Sequence, residues 1–184
     1  MYDKYTTDAV VLKVLPRREA DLSVALFTRD FGLVWASASG ARKQESRLRP
    51  GIQFGSKLRA SLVQGRSGWR LAGVSPVSSV TDPETFARLT RLTLRLVQGE
   101  EQNTYLYDVL EAAHEALAQE EKRPLVELVV VARILYALGY LSPESVEEAL
   151  VAGSALEQEV LIRAEQGGRV LVKTVNEALA ETQL

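Results

Sequence analysis

Over the first eighty residues, apolar side chains recur at every second position. Ala9-Val10-Val11-Leu12-Lys13-Val14 is rich in β-branched residues and stops at Pro16. Leu22, Val24 and Leu26 alternate with Ser23, Ala25 and Phe27. Val34, Ala36 and Ala38 alternate with Trp35, Ser37 and Ser39 up to Gly40. Leu58, Ala60 and Leu62 alternate with Lys57, Arg59 and Ser61, and a fifth run covers Trp69 to Val74. A period of two sends successive side chains to opposite faces of a strand. Arg29-Asp30-Phe31-Gly32 and Gly65-Arg66-Ser67-Gly68 carry turn chemistry between the runs. Five short strands with such spacing predict a small barrel or sandwich. One irregular excursion, Gly40 to Gly51, interrupts them.

The period then changes. Pro76 to Thr81 reads as a linker, and Asp82-Pro83 as a helix start, with Asp at the N-cap and Pro at the first helical position. Phe86, Leu89, Thr93 and Leu96 share one face of a helix that Gly99 ends. Asn103 caps a second, with Leu106, Leu110, Ala113 and Leu117 inward. Pro124 opens a third, Leu125 to Leu138, whose only charges are Glu127 and Arg133. A helix apolar nearly all round belongs at the centre of a bundle. Ser142-Pro143 predicts a short helix to about Val151, and Ser154-Ala155-Leu156-Glu157 has the form of a capping box. Gly167-Gly168 separates this from a last helix to about Glu181. The expected organisation is a β domain over 1–80 and an all-α domain over 81–184.

Charge sharpens that division. The 184 residues carry 22 Lys+Arg and 24 Asp+Glu, a net of −2. Residues 1–80 hold 13 bases and 6 acids, a net of +7, and residues 81–184 hold 9 and 18, a net of −9. Such asymmetry points to different partners for the two halves, the basic half suited to a polyanion. No apolar run approaches the ~20 residues of a membrane helix, and Met1 to Lys13 lacks a signal-peptide pattern. A cytoplasmic location, without a membrane partner, is the default expectation. Zero Cys and one His rule out disulfides, thiolate chemistry and the usual zinc ligand sets. No metal or other cofactor is expected.

Catalytic parts are scarce. His114, three residues after Glu111, lacks a partnered nucleophile, so a partly exposed bundle histidine is the expectation. Glu100-Glu101, Glu120-Glu121 and Glu147-Glu148 are adjacent pairs near helix ends, which do not face one another and suit a solvated surface. The expectation is a protein that is not an enzyme.

The basic excursion is more informative. Arg42, Lys43, Arg47 and Arg49 fall within eight residues against one acid, Glu45. Lys13, Lys57, Arg59, Arg66 and Arg70 come from the strands or their turns. Alternation puts Lys57 and Arg59 on the face opposite Leu58 and Ala60. Clustered cations suit phosphates, and single-strand binding adds aromatic faces for bases to stack on. Trp35 shares the Ser37 and Ser39 face and is the exposed candidate. Core packing competes for each aromatic, Trp69, Phe54 and Phe31 included. Arg88, Arg91 and Arg95 form a secondary basic stripe on the first helix. It reads either as a continuation of the phosphate track or as salt bridges, Glu84–Arg88 or to acids of the next helix. Beside nucleic-acid binding stand two other readings: a module whose basic face takes an acidic protein, and a small hydrolase built on His114.

The stretch Asp8-Ala9-Val10-Val11-Leu12, Arg18-Glu19-Ala20-Asp21, Leu26-Phe27-Thr28, Phe31-Gly32, Gly40-Ala41-Arg42-Lys43 and Ser46-Arg47-Leu48 resembles the amino-terminal domain of the RecO family. Leu96-Val97-Gln98-Gly99-Glu100, Tyr107-Asp108 and Leu135 to Tyr140 resemble its helical domain. The resemblance implies an OB-fold barrel followed by helices. It implies binding of single- and double-stranded DNA, annealing of complementary strands, and work with RecR that lets RecA replace single-stranded-DNA-binding protein (SSB). It also implies a cytoplasmic, nucleoid-associated place and docking of the SSB tail on the helices. Two departures stand out. Ser142-Pro143-Glu144 follows the Leu-Gly-Tyr segment where many relatives insert a four-cysteine zinc module, and Leu125–Ala132 carries only Glu127 where basic residues receive the SSB tail.

Overall fold

The computed structural model describes residues 3–119 and 122–182. The glutamate pair Glu120-Glu121 lies outside them. Five strands, β1 (Lys4–Pro16), β2 (Leu22–Thr28), β3 (Gly32–Ala38), β4 (Lys57–Gly65) and β5 (Gly68–Ser78), close into a barrel of order β1-β2-β3-β5-β4. All pairings are antiparallel except β3 with β5. The alternating positions fill the barrel as the period of two requires: Ala9, Val11, Val24, Leu26, Val34, Ala36, Ala38, Leu58, Ala60, Leu62 and Leu71 form one core. Of the two architectures left open by the pattern, the closed barrel is the one formed.

β5 runs through residues that the sequence assigns to a linker. Leu58 pairs with Pro76 and Lys57 with Ser78, so Val77 is the extra residue of a bulge. Proline cannot donate to a ladder and is tolerated at such an irregularity. The excursion between β3 and β4 is anchored from within. Ala41 and Ile52 enter the barrel core, and Leu48 packs on it.

Among the described residues six helices follow: α1 (Pro83–Leu96), α2 (Thr104–Ala116), α3 (Arg123–Ala137), α4 (Glu148–Val151), α5 (Gln158–Gln166) and α6 (Gly168–Glu181). The described chain forms two compact units. One takes the chain up to Pro83 and also Gln98–Thr104; the other takes Glu84–Val97 and the chain from Tyr105 on. Within the first unit, Trp69 Nε1–H donates to Glu100 Oε2 at 2.8 Å and Gln102 Nε2 to the Arg29 carbonyl at 3.4 Å. Gly32 holds φ +64, and a Cβ there would overlap the Glu101 carbonyl. Only glycine accepts both the turn and that approach.

Within the helical unit α3 is central, packing against α4, α5 and α6. It ends as its sequence predicts. Gly139 has φ +80, its N–H donates to the Tyr136 carbonyl, and the Tyr140 N–H donates to the Leu135 carbonyl. This is the Schellman arrangement that Leu138-Gly139-Tyr140 favours. Arg133 is 1% exposed. It donates through Nε to Leu150 O at 2.8 Å, through Nη1 to Ser154 O at 2.6 Å and through Nη2 to Ala155 O at 3.0 Å. Burial pulls its proton affinity down, and Tyr105 partly restores it.

Three local expectations fail here. Ser142-Pro143 starts turns rather than a helix, which begins only at Glu148. Ser154 does not cap α5: the N-cap is Glu157, without a side-chain cap bond, because Arg133 holds the Ser154 and Ala155 carbonyls. His114 is buried and meets Phe86 edge-on at 5.8 Å, rather than being partly exposed. Among the described residues no helix is long and apolar enough to cross a membrane.

Candidate nucleic-acid interface

The outer face of the barrel carries a basic groove that the sequence pattern only half shows. Its volume is about 580 Å³. One wall is the β1–β2 turn with Arg17, Arg18 and Asp21; the other is the β4–β5 turn with Arg66 and Ser67. Ser37 and Ser39 of β3, Val63 of β4 and Arg70 of β5 line it between the turns. The register explains the meeting. Ser37 pairs with Ser23 on one side and with Arg70 on the other, and Arg70 pairs with Val63. Paired residues share a face, so these side chains stand in one outward row.

Four arginines thus converge on one concavity with a single carboxylate. That carboxylate is occupied, since Asp21 Oδ1 accepts the Gly40 N–H at 2.8 Å. Among the described residues no acidic side chain meets Arg17, Arg18, Arg66 or Arg70 at ion-pair distance. Repelling cations held together at a surface make a ready anion site, because a polyanion relieves their repulsion. Arg17 and Arg18 escape sequence reasoning. Their signal was the Arg17-Arg18 pair itself, at a turn bounded by Pro16 and Asp21.

The excursion joins this groove at Arg42. Its N–H donates to the Ala20 carbonyl at 3.0 Å, and its Nη1 to the Arg18 carbonyl at 3.4 Å. Lys43, Arg47 and Arg49 follow, all exposed, on successive turns closed by Ser46 N–H to Lys43 O and Arg49 N–H to Ser46 O. A second row lies beside the groove. Lys13 pairs with Ala25, and Ala25 with Trp35, so Lys13 and Trp35 stand on the outer face either side of a small residue. Both are exposed, Trp35 at 43%.

Other expected residues sit differently. Lys57 is 8% exposed and has a partner, so it is not offered to a ligand. The alternation that places it on the outer face is correct, but that face is covered at this end of β4. Arg59 remains exposed and faces its register partner Asp8, Nε to Oδ1 at 3.1 Å; this bond and the Asp8 charge raise the guanidinium's proton affinity. Trp69 is 6% exposed and packs with Tyr5 and Phe31 at centroid distances of 5.7 and 5.2 Å. In the helical unit Arg88 grips Glu127 with Nε and Nη2 at 2.6 and 2.8 Å and lies 3.6 Å from Glu84. The salt-bridge reading of that stripe therefore holds for Arg88, while Arg91 and Arg95 are exposed. Among the described residues no group of three His, Cys, Asp or Glu is placed to hold a metal.

Residues 1–80 match the family model described as Recombination protein O N terminal. The chain is 30% identical over 160 residues to the DNA repair protein RecO of Chlorobium limicola, covering 82% of this chain and 60% of that protein. It is 32% identical over 108 residues to that of Symbiobacterium thermophilum, covering 59% and 39% of the two chains. Against RecO of Chlorobium phaeobacteroides the identity is 36% over 121 residues, covering 60% and 46%. The chain therefore spans roughly 40 to 60% of the length of these relatives. Residues 1–80, which form the five-stranded closed barrel, thus belong to the amino-terminal domain of the RecO family, and the chain that continues into the helices is similar to RecO proteins.

Proposed function

We propose that this protein is a DNA-binding recombination mediator without catalytic chemistry. Residues 1–80 hold nucleic acid and residues 81–184 form its helical domain. The reading extends to annealing of complementary strands, and to work with RecR in helping RecA load on SSB-coated DNA in repair. The observation that carries it is the groove. Arg17 and Arg18 from one turn and Arg66 from another, with Arg70 between them, converge on the barrel face, with Asp21 as the one carboxylate lining the groove. In five-stranded barrels of this kind, a strand face and these two turns are the usual seat of oligonucleotides.

The mechanism is charge neutralisation. Arginine forks and the excursion's cations displace condensed counterions from phosphates, independently of sequence. Two strands gathered on one basic unit meet at raised local concentration and pair. The net of −9 on residues 81–184 opposes wrapping and favours release of the duplex. No nucleotide or metal enters any step.

Binding of dye-labelled single-stranded DNA and of polyglutamate across a salt series tests this, together with the pairing rate of complementary strands. DNA affinity should fall linearly in log–log form with salt, and pairing should speed up at sub-saturating protein without ATP. Polyglutamate binding as tight as DNA, with pairing only slowed, would instead make the basic face a dock for an acidic protein.

A further inference from the structure

Trp35 stands out against the rest of the barrel. Among the described residues of that unit it is the most exposed aromatic ring, and it has no ring or hydrogen-bond partner among them. The remaining rings show what the fold does with an aromatic that serves stability. Tyr5 meets Phe31 and Trp69 edge to face, Phe31 and Trp69 pack at a tilt, and the Trp69 indole N–H is satisfied by Glu100. Trp35, at 43%, instead keeps a large part of its ring open to solvent at a position where alternation only requires an outward residue.

Its place is specific. Along β3, Trp35 is two residues from Ser37, about 7 Å on the same face, and Ser37 lies in the groove beside Arg70. Across the sheet, Ala25 separates it from Lys13, about 10 Å from strand to strand to strand. The ring therefore stands between two cationic arms, Lys13 on one side and the arginine groove on the other. A single strand alternates phosphates with free base faces and matches that order. A duplex has the same phosphates, but its base faces are closed within the stack.

We propose that Trp35 is a base-stacking platform that makes this face discriminate unpaired from paired strands, with Lys13 and Arg70 holding the flanking phosphates. The proposal rests on the nucleic-acid reading above and adds its selectivity. Strands are held while single and lose the indole contact on pairing, so annealed product is the weaker ligand.

The test compares wild type, Trp35→Ala and Trp35→Phe on three probes: oligothymidylate, an abasic strand of equal length, and a blunt duplex. Stacking at ~1–3 kcal/mol per base corresponds to roughly a 5- to 150-fold loss. Trp35→Ala should lose that much on oligothymidylate, with the salt slope unchanged and the other two probes within about twofold. Trp35→Phe should keep most of the affinity. Wild-type fluorescence should be quenched by oligothymidylate and not by the abasic strand. In Trp35→Phe the quench should vanish, because the remaining Trp69 is buried. Equal loss on all three probes, or none, overturns the proposal. If Trp35→Ala does not fold, the quench comparison and the Phe variant decide alone: an equal quench by the abasic strand overturns it. Wild type that binds all three probes equally with a steep salt slope sinks this proposal and leaves phosphate binding standing. Wild type that binds none sinks both.

Discussion

Replacing Arg133 by Met isolates the internal clamp of the helical unit. The apolar stem survives in volume, while the guanidinium and its three bonds, at 2.8, 2.6 and 3.0 Å, are lost. The acceptors are backbone carbonyls, which no side-chain change removes. This separates the case from a buried ion pair replaced as a whole by apolar residues, which is often neutral. Leu150 is buried, so its carbonyl is left without Arg133 at a cost of ~1–3 kcal/mol. Ser154 and Ala155 are half-buried and exposed, so water reaches their carbonyls and replaces most of the remaining two bonds. Those charge-assisted bonds then contribute about 1 kcal/mol rather than their full ~1.5–3 each. Removing the buried charge recovers part of its desolvation. The net is a loss of about 2–4 kcal/mol, in the range for breaking a buried polar network. For a unit of this size, each kcal/mol moves Tm by about 4–8 °C, so the helical melt should fall by roughly 10–25 °C. Thermal melting followed by far-UV circular dichroism reads this directly. Arg133→Lys, with one ammonium for three acceptors and no planar fork, should fall between wild type and Met. DNA salt slope and Trp69 fluorescence, which report on the barrel unit, should not move. A Met variant melting within about 2 °C of wild type would refute the clamp.

Four further outcomes follow from the same structure. Changing Arg17, Arg18, Arg66 and Arg70 together to Gln should lower the single-strand salt slope by about 3, at ~0.7 per phosphate. The fourfold Ala change of Arg42, Lys43, Arg47 and Arg49 should act alike on all sequences, and an unchanged slope in a folded variant would make that excursion a solvated loop. Gly32→Ala meets both a left-handed φ and the Glu101 carbonyl. It should cost the barrel unit ~2 kcal/mol or more and red-shift Trp69 emission as Glu100 is displaced, which a fluorescence-detected urea titration measures. Chelator should leave the wild-type melting curve where it is, and native mass spectrometry should find no stoichiometric zinc; a collapse of Tm in chelator would contradict folding without metal.

Sequence alone determined the features whose cause is local. Alternation sorted Val24, Leu26, Val34 and Ala36 into the barrel, because the pleat has a period of two whatever surrounds it. Pro83 started α1, and Gly139 closed α3, because a fixed φ and a positive φ are properties of single residues. The charge division and the family motifs were also legible as they stood. Tertiary structure decided what depends on residues far apart in the chain meeting in space. Arg17 and Arg66 share a groove because β1, β2, β3 and β5 lie side by side in register. Lys57 and Arg59 lie two residues apart on one strand, yet one is covered and the other faces Asp8. Ser154 had the sequence of a helix cap and became an acceptor for Arg133, because a buried guanidinium's need for partners outweighs a surface cap of ~1 kcal/mol. Periodicity reports which face a side chain takes, and only the closed fold sets what stands opposite that face.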